Sequence, residues 1–410
     1  MVDYSQNPAS YDYRSQGFSL QKLSELTNSQ ISVYGYKDTN IGISYLEFVF
    51  SVGKLTDSNK AVSAMLSRLF SYLKAANNKT LFELLEFYGA KLSFEASSTH
   101  SSIKLYALSD DFQQILNQVN YSLKNPQWDE SSFRHCKNTL IKDIKTRGLE
   151  KSTVGDRVFN SHFYQGSKLA QPLVLADIVH LRSEEIAFKI KSLFNNLDFI
   201  MTVNINGEEL DLSSFRLANK RLMIPNNFQS KEVKFFPKLN EEQSLIQSIK
   251  PLCPVHFDKY YLYYFYNQIL GGSFQSILSQ EIREKQGLTY GIHSSLMSVN
   301  NDSYLKISST TPYQRGTEVL SKIDEITDDL GSYLNERYLN QIKKIASATF
   351  LKNMENTFSQ LALQKNILLS DLKPNFYSVL LRGIKKVSIN DLLIVNEELN
   401  SKGSLEIVVE

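Results

Sequence analysis

The amino-acid sequence predicts an α+β fold made of two homologous domains, each an antiparallel-rich mixed sheet covered by helices. The chain has 410 residues, more than one hydrophobic core usually organises, so two units of about 200 residues are expected. A pattern repeats between the halves. Phe133 pairs with Tyr338 and Leu140 with Ile345 at an offset of 205, inside segments that run from Trp128 to Phe163 and from Leu334 to Leu361. At an offset of 206, Ser183-Glu184-Glu185-Ile186 faces Ile389-Asn390-Asp391-Leu392, and Phe199–Ile205 faces the closing strand at Leu405. Amphipathic helices resemble one another by chance, but an offset held across three elements points to duplication.

The elements of the first half follow in order. Ile31–Tyr36 and Ser44–Val52 are runs of β-formers. A helix is expected from Ala61 to Lys74, and a second from Thr80 to Tyr88, opened by Thr80 with Glu83 in capping-box spacing and stopped by Gly89. Lys91–Ala96 and Ile103–Ala107 read as further strands. Apolar residues three and four apart mark helices at Phe112–Leu123 and, in the second half, Gly316–Leu330. Acidic residues in the first turn mark the helix starts at Ser183 and Ile389. The Tyr-rich run Tyr260–Tyr266 suits a packed helix. Met223–Lys238, with Pro225, Asn226, Asn227 and Pro237 and no periodicity, reads as a linker. The division is therefore 1–222, a linker at 223–238, and 239–410.

Composition narrows the function. The chain is 42% hydrophobic and 21% charged, and 45 basic against 43 acidic residues leave a net charge of +2. That gives no electrostatic reason to expect a nucleic acid or an anionic membrane as partner. No run reaches the roughly 18 apolar residues of a spanning helix, so membrane insertion is not expected. The N-terminus has no basic start followed by an apolar core. A cytoplasmic location is expected on that ground, and a periplasmic one with a leader removed is the alternative. Cys136 and Cys253, the only cysteines, form neither a disulfide framework nor a thiolate metal site. The six histidines, at 100, 135, 162, 180, 256 and 293, include no pair at helical ligand spacing, and His180 with Glu184 reads as part of a helix start. Asp110-Asp111 and Asp328-Asp329 read as solvated turn or helix charges.

The segment from Arg283 to Tyr290, with Gly287 between them, follows the turn Leu270-Gly271-Gly272-Ser273-Phe274. That turn lacks the phosphate-loop pattern and reads as a helix-to-helix connection. A guanidinium and a phenol are both donors able to hold a carbonyl oxygen as it becomes an oxyanion. By spacing alone, an Arg before a strand and a Tyr inside it would be surface pairing and sheet packing.

The duplicated α+β unit, the segment Thr80–Phe94 and the Arg283–Tyr290 segment together resemble the pitrilysin or insulinase-type zinc peptidases, in particular the processing-peptidase-like bacterial subfamily. The resemblance spans nearly the whole chain, from about Leu20 onward. Members carry His-x-x-Glu-His on the first long helix, giving two imidazole ligands and a general base, and a distant Glu completes the zinc site. Aligned with this pattern, the metal-site positions fall on Ala64, Ser67, Arg68 and, for the distant Glu, Asp143. From Ser51 through Phe82 there is no His and no Glu, and Asp57 is the only carboxylate. The resemblance thus implies a zinc-less chain, inactive alone and forming half of a clamshell, that holds no cofactor itself. Its expected partners are a homologous zinc-bearing subunit, in a heterodimer, and a peptide substrate. In such pairs one subunit bears zinc and the other supplies an Arg and a Tyr, a role that falls on Arg283 and Tyr290, acting in trans on the substrate carbonyl and the tetrahedral intermediate. The departure of Leu270–Phe274 from the long glycine-rich loop of the presequence-binding processing subunit argues against that particular role. The alternatives are a structural subunit like the core proteins of respiratory complex III, and a homodimeric peptide-binding protein.

Overall fold

The protein is described from a computed structural model covering residues 22–25, 31–38, 40–148, 150–205, 210–218, 231–235, 242–254, 257–299, 302–354 and 356–410. The first half runs β1 (Lys22–Glu25), β2 (Ser32–Tyr36), β3 (Ile43–Phe50), α1 (Val62–Leu69), α2 (Leu81–Phe87), β4 (Lys91–Ala96), β5 (Ser101–Leu108), α3 (Phe112–Lys124), α4 (Glu130–Arg147), α5 (Lys151–Phe163), α6 (Leu175–Val179), α7 (Ser183–Leu193) and β6 (Leu197–Val203). The second runs β7 (Lys231–Phe235), β8 (Gln243–Pro251), α8 (Tyr260–Leu270), a π-helical stretch at Ser279–Lys285, β9 (Gly291–Val299), β10 (Asp302–Pro312), α9 (Gly316–Asp328), α10 (Glu336–Met354), α11 (Thr357–Leu369), α12 (Phe376–Lys386), α13 (Ile389–Ser401) and β11 (Leu405–Val409).

The duplication is visible in the topology. One sheet has the order β1-β2-β6-β3-β5-β4 and the other β7-β11-β8-β10-β9. Once the extra β1 is set aside, the orders correspond strand for strand. Each sheet is antiparallel except for one parallel pair, β2 with β6 and β7 with β11. The repeat segments noted in the sequence each become two helices, α4 with α5 and α10 with α11, and the paired helices start 206 residues apart.

Local signals explain most element ends. Thr80 accepts from the Glu83 amide and Glu83 from the Thr80 amide, a complete capping box on α2. Gly89 and Gly287 both sit at φ +60, a left-handed conformation open to glycine at little cost, and each ends a helical stretch just before an edge strand. The helix expected over Ala61–Lys74 is shorter. It is α-helical to Leu69 and then tightens into a 3₁₀ turn, Phe70–Tyr72. Lys231–Phe235, inside the expected linker, is strand β7, held by parallel pairing with β11. The flanking residues 223–230 and 236–238 lie outside the described residues.

Each half lends a helix to the other. Val154, Phe159 and Phe163 of α5 pack with Ile249, Tyr304, Leu405 and Ile407 of the second sheet. In return, Leu361 and Phe358 of α11 pack with Tyr45, Val49, Phe199 and Met201 of the first. Full burial of a side chain such as Phe163 or Leu361 stabilises by about 1.5–3 kcal/mol, so these two helices tie the halves together. Polar contacts reinforce the tie. Buried Glu47 accepts from Tyr45 Oη at 2.7 Å and pairs with Lys365 of α11. On α5, Asp156 pairs with Lys306 of β10 at 2.7 Å.

Candidate functional site

The α1 helix turns Val62, Met65, Leu66 and Leu69 into the core. The remaining face carries Ala64, Ser67 and Arg68. On α4, Phe133, Cys136 and Leu140 are buried at helical spacing, which leaves Asp143 one turn further along the inner edge. The two helices pack so that Arg68 Nη2 lies 2.5 Å from Asp143 Oδ2, with the two side chains 28% and 34% exposed. Arg68 Nη1 donates to the Ala64 carbonyl at 2.9 Å, and Ser67 Oγ to the Ser63 carbonyl at 3.0 Å. The hydrogen bond from Arg68 holds the Asp143 carboxyl below its usual range, with the guanidinium charge adding to it.

The four positions expected from the sequence are therefore neighbours on α1 and α4, but the donor set does not fit zinc. Ala64 has no donor atom, Arg68 offers only N–H groups and a positive charge, and the one carboxylate already has a cation. Asp57, the remaining carboxylate of this region, accepts from the Ser63 amide at 3.0 Å and pairs with Lys189 at 2.7 Å, anchoring the start of α1 to α7. Among the described residues, no group of three or more His, Cys, Asp and Glu could hold a metal ion. Four of the histidines make contacts of their own. Nδ1 of His162 and of His180 faces a carbonyl one turn back, His100 bonds Ser97, and His135 meets the edge of Tyr72. His256 lies outside the described residues.

The second candidate pair stands on a stiff support. Beyond α8, Gly271 and Gly272 permit a close approach that larger residues would block. A Cβ on Gly271 would come within 2.9 Å of the Ser294 amide nitrogen, and one on Gly272 within 2.8 Å of the Asn267 carbonyl oxygen. Ser294 N donates to Gly271 O at 2.9 Å, and Tyr338 Oη of α10 donates to Gln275 O at 2.9 Å. The turn reading of Leu270–Phe274 thus holds, although the following helix is a π-helix. In it Ile282 is buried and Arg283 is partly exposed, with its guanidinium carbon 4.5 Å from the centre of the Phe274 ring and Nε 3.6 Å from Glu284.

Tyr290 stands immediately before β9 rather than inside it, which corrects the sheet-packing alternative. Its side chain is 83% exposed and so takes no part in packing the sheet. β9 is the last strand of its sheet. Tyr290 therefore stands at the start of an outer strand, whose Ser294 amide is already taken by the Gly271 carbonyl. Residue spacing does not report the contact between Phe274 and Arg283, which depends on how the turn folds back on the π-helix.

Elsewhere, burial raises the Cys136 thiol and pushes that of Cys253 up to about 11, so neither is a ready nucleophile. A cleft of about 440 Å³ lies between the start of α8 and α12, lined by Phe257, Tyr260, Tyr261 and Phe376 among others. None of the candidate residues lines it. No helix among the described residues is long and apolar enough to cross a membrane.

Residues 212–346 match the family described as "Peptidase M16 inactive domain". A Helicobacter pylori protein described as "Non-peptidase homolog YmxG" is 20% identical over 401 residues, spanning 92% of this chain and 91% of that one. Among solved structures, a peptidase M16 inactive domain from Pseudomonas fluorescens superposes with a TM-score of 0.79 at 15% identity, over 95% of this chain and 97% of the other. The periplasmic protease PqqL from Escherichia coli gives 0.73 at 13% identity, over 95% of this chain but 46% of its own length.

Proposed function

We propose that this chain, an M16 (pitrilysin/insulinase) family protein of the non-catalytic type, is the zinc-less subunit of a heterodimeric peptidase. Alone it has no hydrolytic centre of the family's kind. The Arg68–Asp143 pair fills the place where such a centre would be built. Paired with a zinc-bearing homologue, it forms half of a clamshell and supplies Arg283 and Tyr290 across the chamber. There the guanidinium and the phenol donate hydrogen bonds to the peptide carbonyl and hold it as negative charge builds on its oxygen.

The observation that carries this reading is Tyr290. A phenol left 83% exposed beside a sheet edge contributes little to packing, and with Arg283 it offers two donors of the kind an oxyanion needs. PqqL supports it further, since this chain spans only about half of a protease with the same fold. The Helicobacter pylori relative is described as a non-peptidase homolog, which fits equally a second reading, a non-catalytic scaffold subunit.

Co-purification decides between them. The chain is produced with a homologue that retains His-x-x-Glu-His, and peptide hydrolysis is measured for each chain and for the mixture. The proposal expects a stable pair whose chelator-sensitive activity needs both chains. A pair no faster than the zinc-bearing chain alone supports the scaffold reading instead.

A further inference from the structure

We propose that Phe274 is a positioning residue for Arg283, a fixed aromatic platform that holds the guanidinium in one orientation and leaves the N–H donors that point away from the ring for a peptide carbonyl. This rests on the role proposed above for Arg283 and adds to it how that side chain is held.

Phe274 is unusual for its setting. Its turn is held from three sides, by Asn267 of α8 bonding the Gly272 amide at 2.7 Å, by Ser294 of β9 bonding the Gly271 carbonyl, and by Tyr338 of α10 bonding the Gln275 carbonyl. Yet the ring at its tip is 67% exposed, so core packing does not account for an aromatic there. What one face of it does contact is the Arg283 guanidinium, 4.5 Å from the ring centre. A cation held over one aromatic face leaves those N–H groups that point away from the ring free to donate. Glu284, 3.6 Å from Nε, restrains the same group from the chain side and leaves the terminal nitrogens to the ligand. An arginine on a flexible four-bond stem would otherwise lose its rotamer freedom on binding each substrate, and the platform removes part of that loss beforehand.

The test has two readouts. In the ¹⁵N-arginine-labelled chain, with the Arg283 Nε–H assigned by its loss in Arg283→Lys, Phe274→Leu is expected to raise the mobility of that group, whereas Phe274→Tyr keeps it as in the parent. In the active pair, Phe274→Leu is expected to lower kcat/KM by about 2- to 5-fold, the bias an exposed cation–π contact supplies. Phe274→Tyr is expected to preserve the rate, and Phe274→Leu to have no further effect once Arg283 is Ala. Unchanged Arg283 mobility in Phe274→Leu would overturn the inference, and so would a Phe274→Leu defect that persists in the Arg283→Ala background. If Arg283→Ala itself leaves the pair's rate unchanged, the proposed function fails, and the mobility comparison still decides whether Phe274 holds the side chain.

Discussion

Arg68 of α1 and Asp143 of α4, 75 residues apart in sequence, meet in a 2.5 Å ion pair. A guanidinium thereby joins the two helices. The pairing gives a stability prediction with a definite sign in pH. Because the folded-state pKa of Asp143 is depressed by Arg68, the pair's contribution is present above the usual carboxylate pKa of about 3.9 and is lost as pH falls through the folded value. Urea unfolding of Arg68→Ala should therefore show a small loss relative to the parent at pH 7 that disappears in acid. A loss of equal size at both pH values would mean that Arg68 acts through packing alone.

The same neighbourhood should accept a metal once its donors are restored. The combined change Ala64→His, Ser67→Glu, Arg68→His and Asp143→Glu is expected to bind one zinc per chain, measured by elemental analysis after gel filtration, while Arg68→His alone binds none. A folded quadruple variant without zinc would show that α1 and α4 are set at the wrong distance.

A buried pair holds the halves together more strongly. Burial alone would raise the Glu47 pKa, but Lys365, Tyr45 and Ser102 outweigh it and leave the carboxyl lowered. Lys365→Ala strands this carboxylate, and removing one member of a buried pair costs about 3–5 kcal/mol. Glu47→Leu combined with Lys365→Met should recover much of that loss. Chemical denaturation of the three variants reads this directly, and a double variant as unstable as Lys365→Ala would contradict it.

Gly287 sets how the chain enters β9. At φ +60 with open space around it, any side chain strains the backbone without a clash. Gly287→Val is expected to destabilise by about 1–2 kcal/mol and Gly287→Asn by less, since Asn tolerates this conformation. Equal thermal shifts for the two would place the penalty elsewhere.

Much of this architecture was legible in the residues. The offset of 205 to 206 marked the duplication, Thr80 and Glu83 marked their cap, and β4 falls on its expected bounds because its run of residues ends in turns on both sides. β8 was not legible, and the reason is tertiary. Its Ser244, Gln247, Ser248 and Lys250 are buried, giving a polar-looking strand whose second face is covered by α5 from the other half. The π-helix carrying Arg283 was hidden because its wider turn leaves no 3.6-residue period. Of the candidate sites, residue identity showed the missing metal ligands. It showed neither the Arg68–Asp143 pair nor the Phe274 platform, which depend on how separate elements pack.

In the proposed pair, Arg283 and Tyr290 act on a substrate held at another subunit's metal centre. The single-turnover rate of peptide cleavage by the reconstituted pair tests this, with the zinc-bearing chain constant and this chain as parent, Arg283→Ala or Tyr290→Phe. Loss of one such donor is expected to slow cleavage by about 10²–10³-fold, with pairing by gel filtration unchanged. Parental rates in both variants, or chelator-sensitive hydrolysis by this chain alone, would contradict the account.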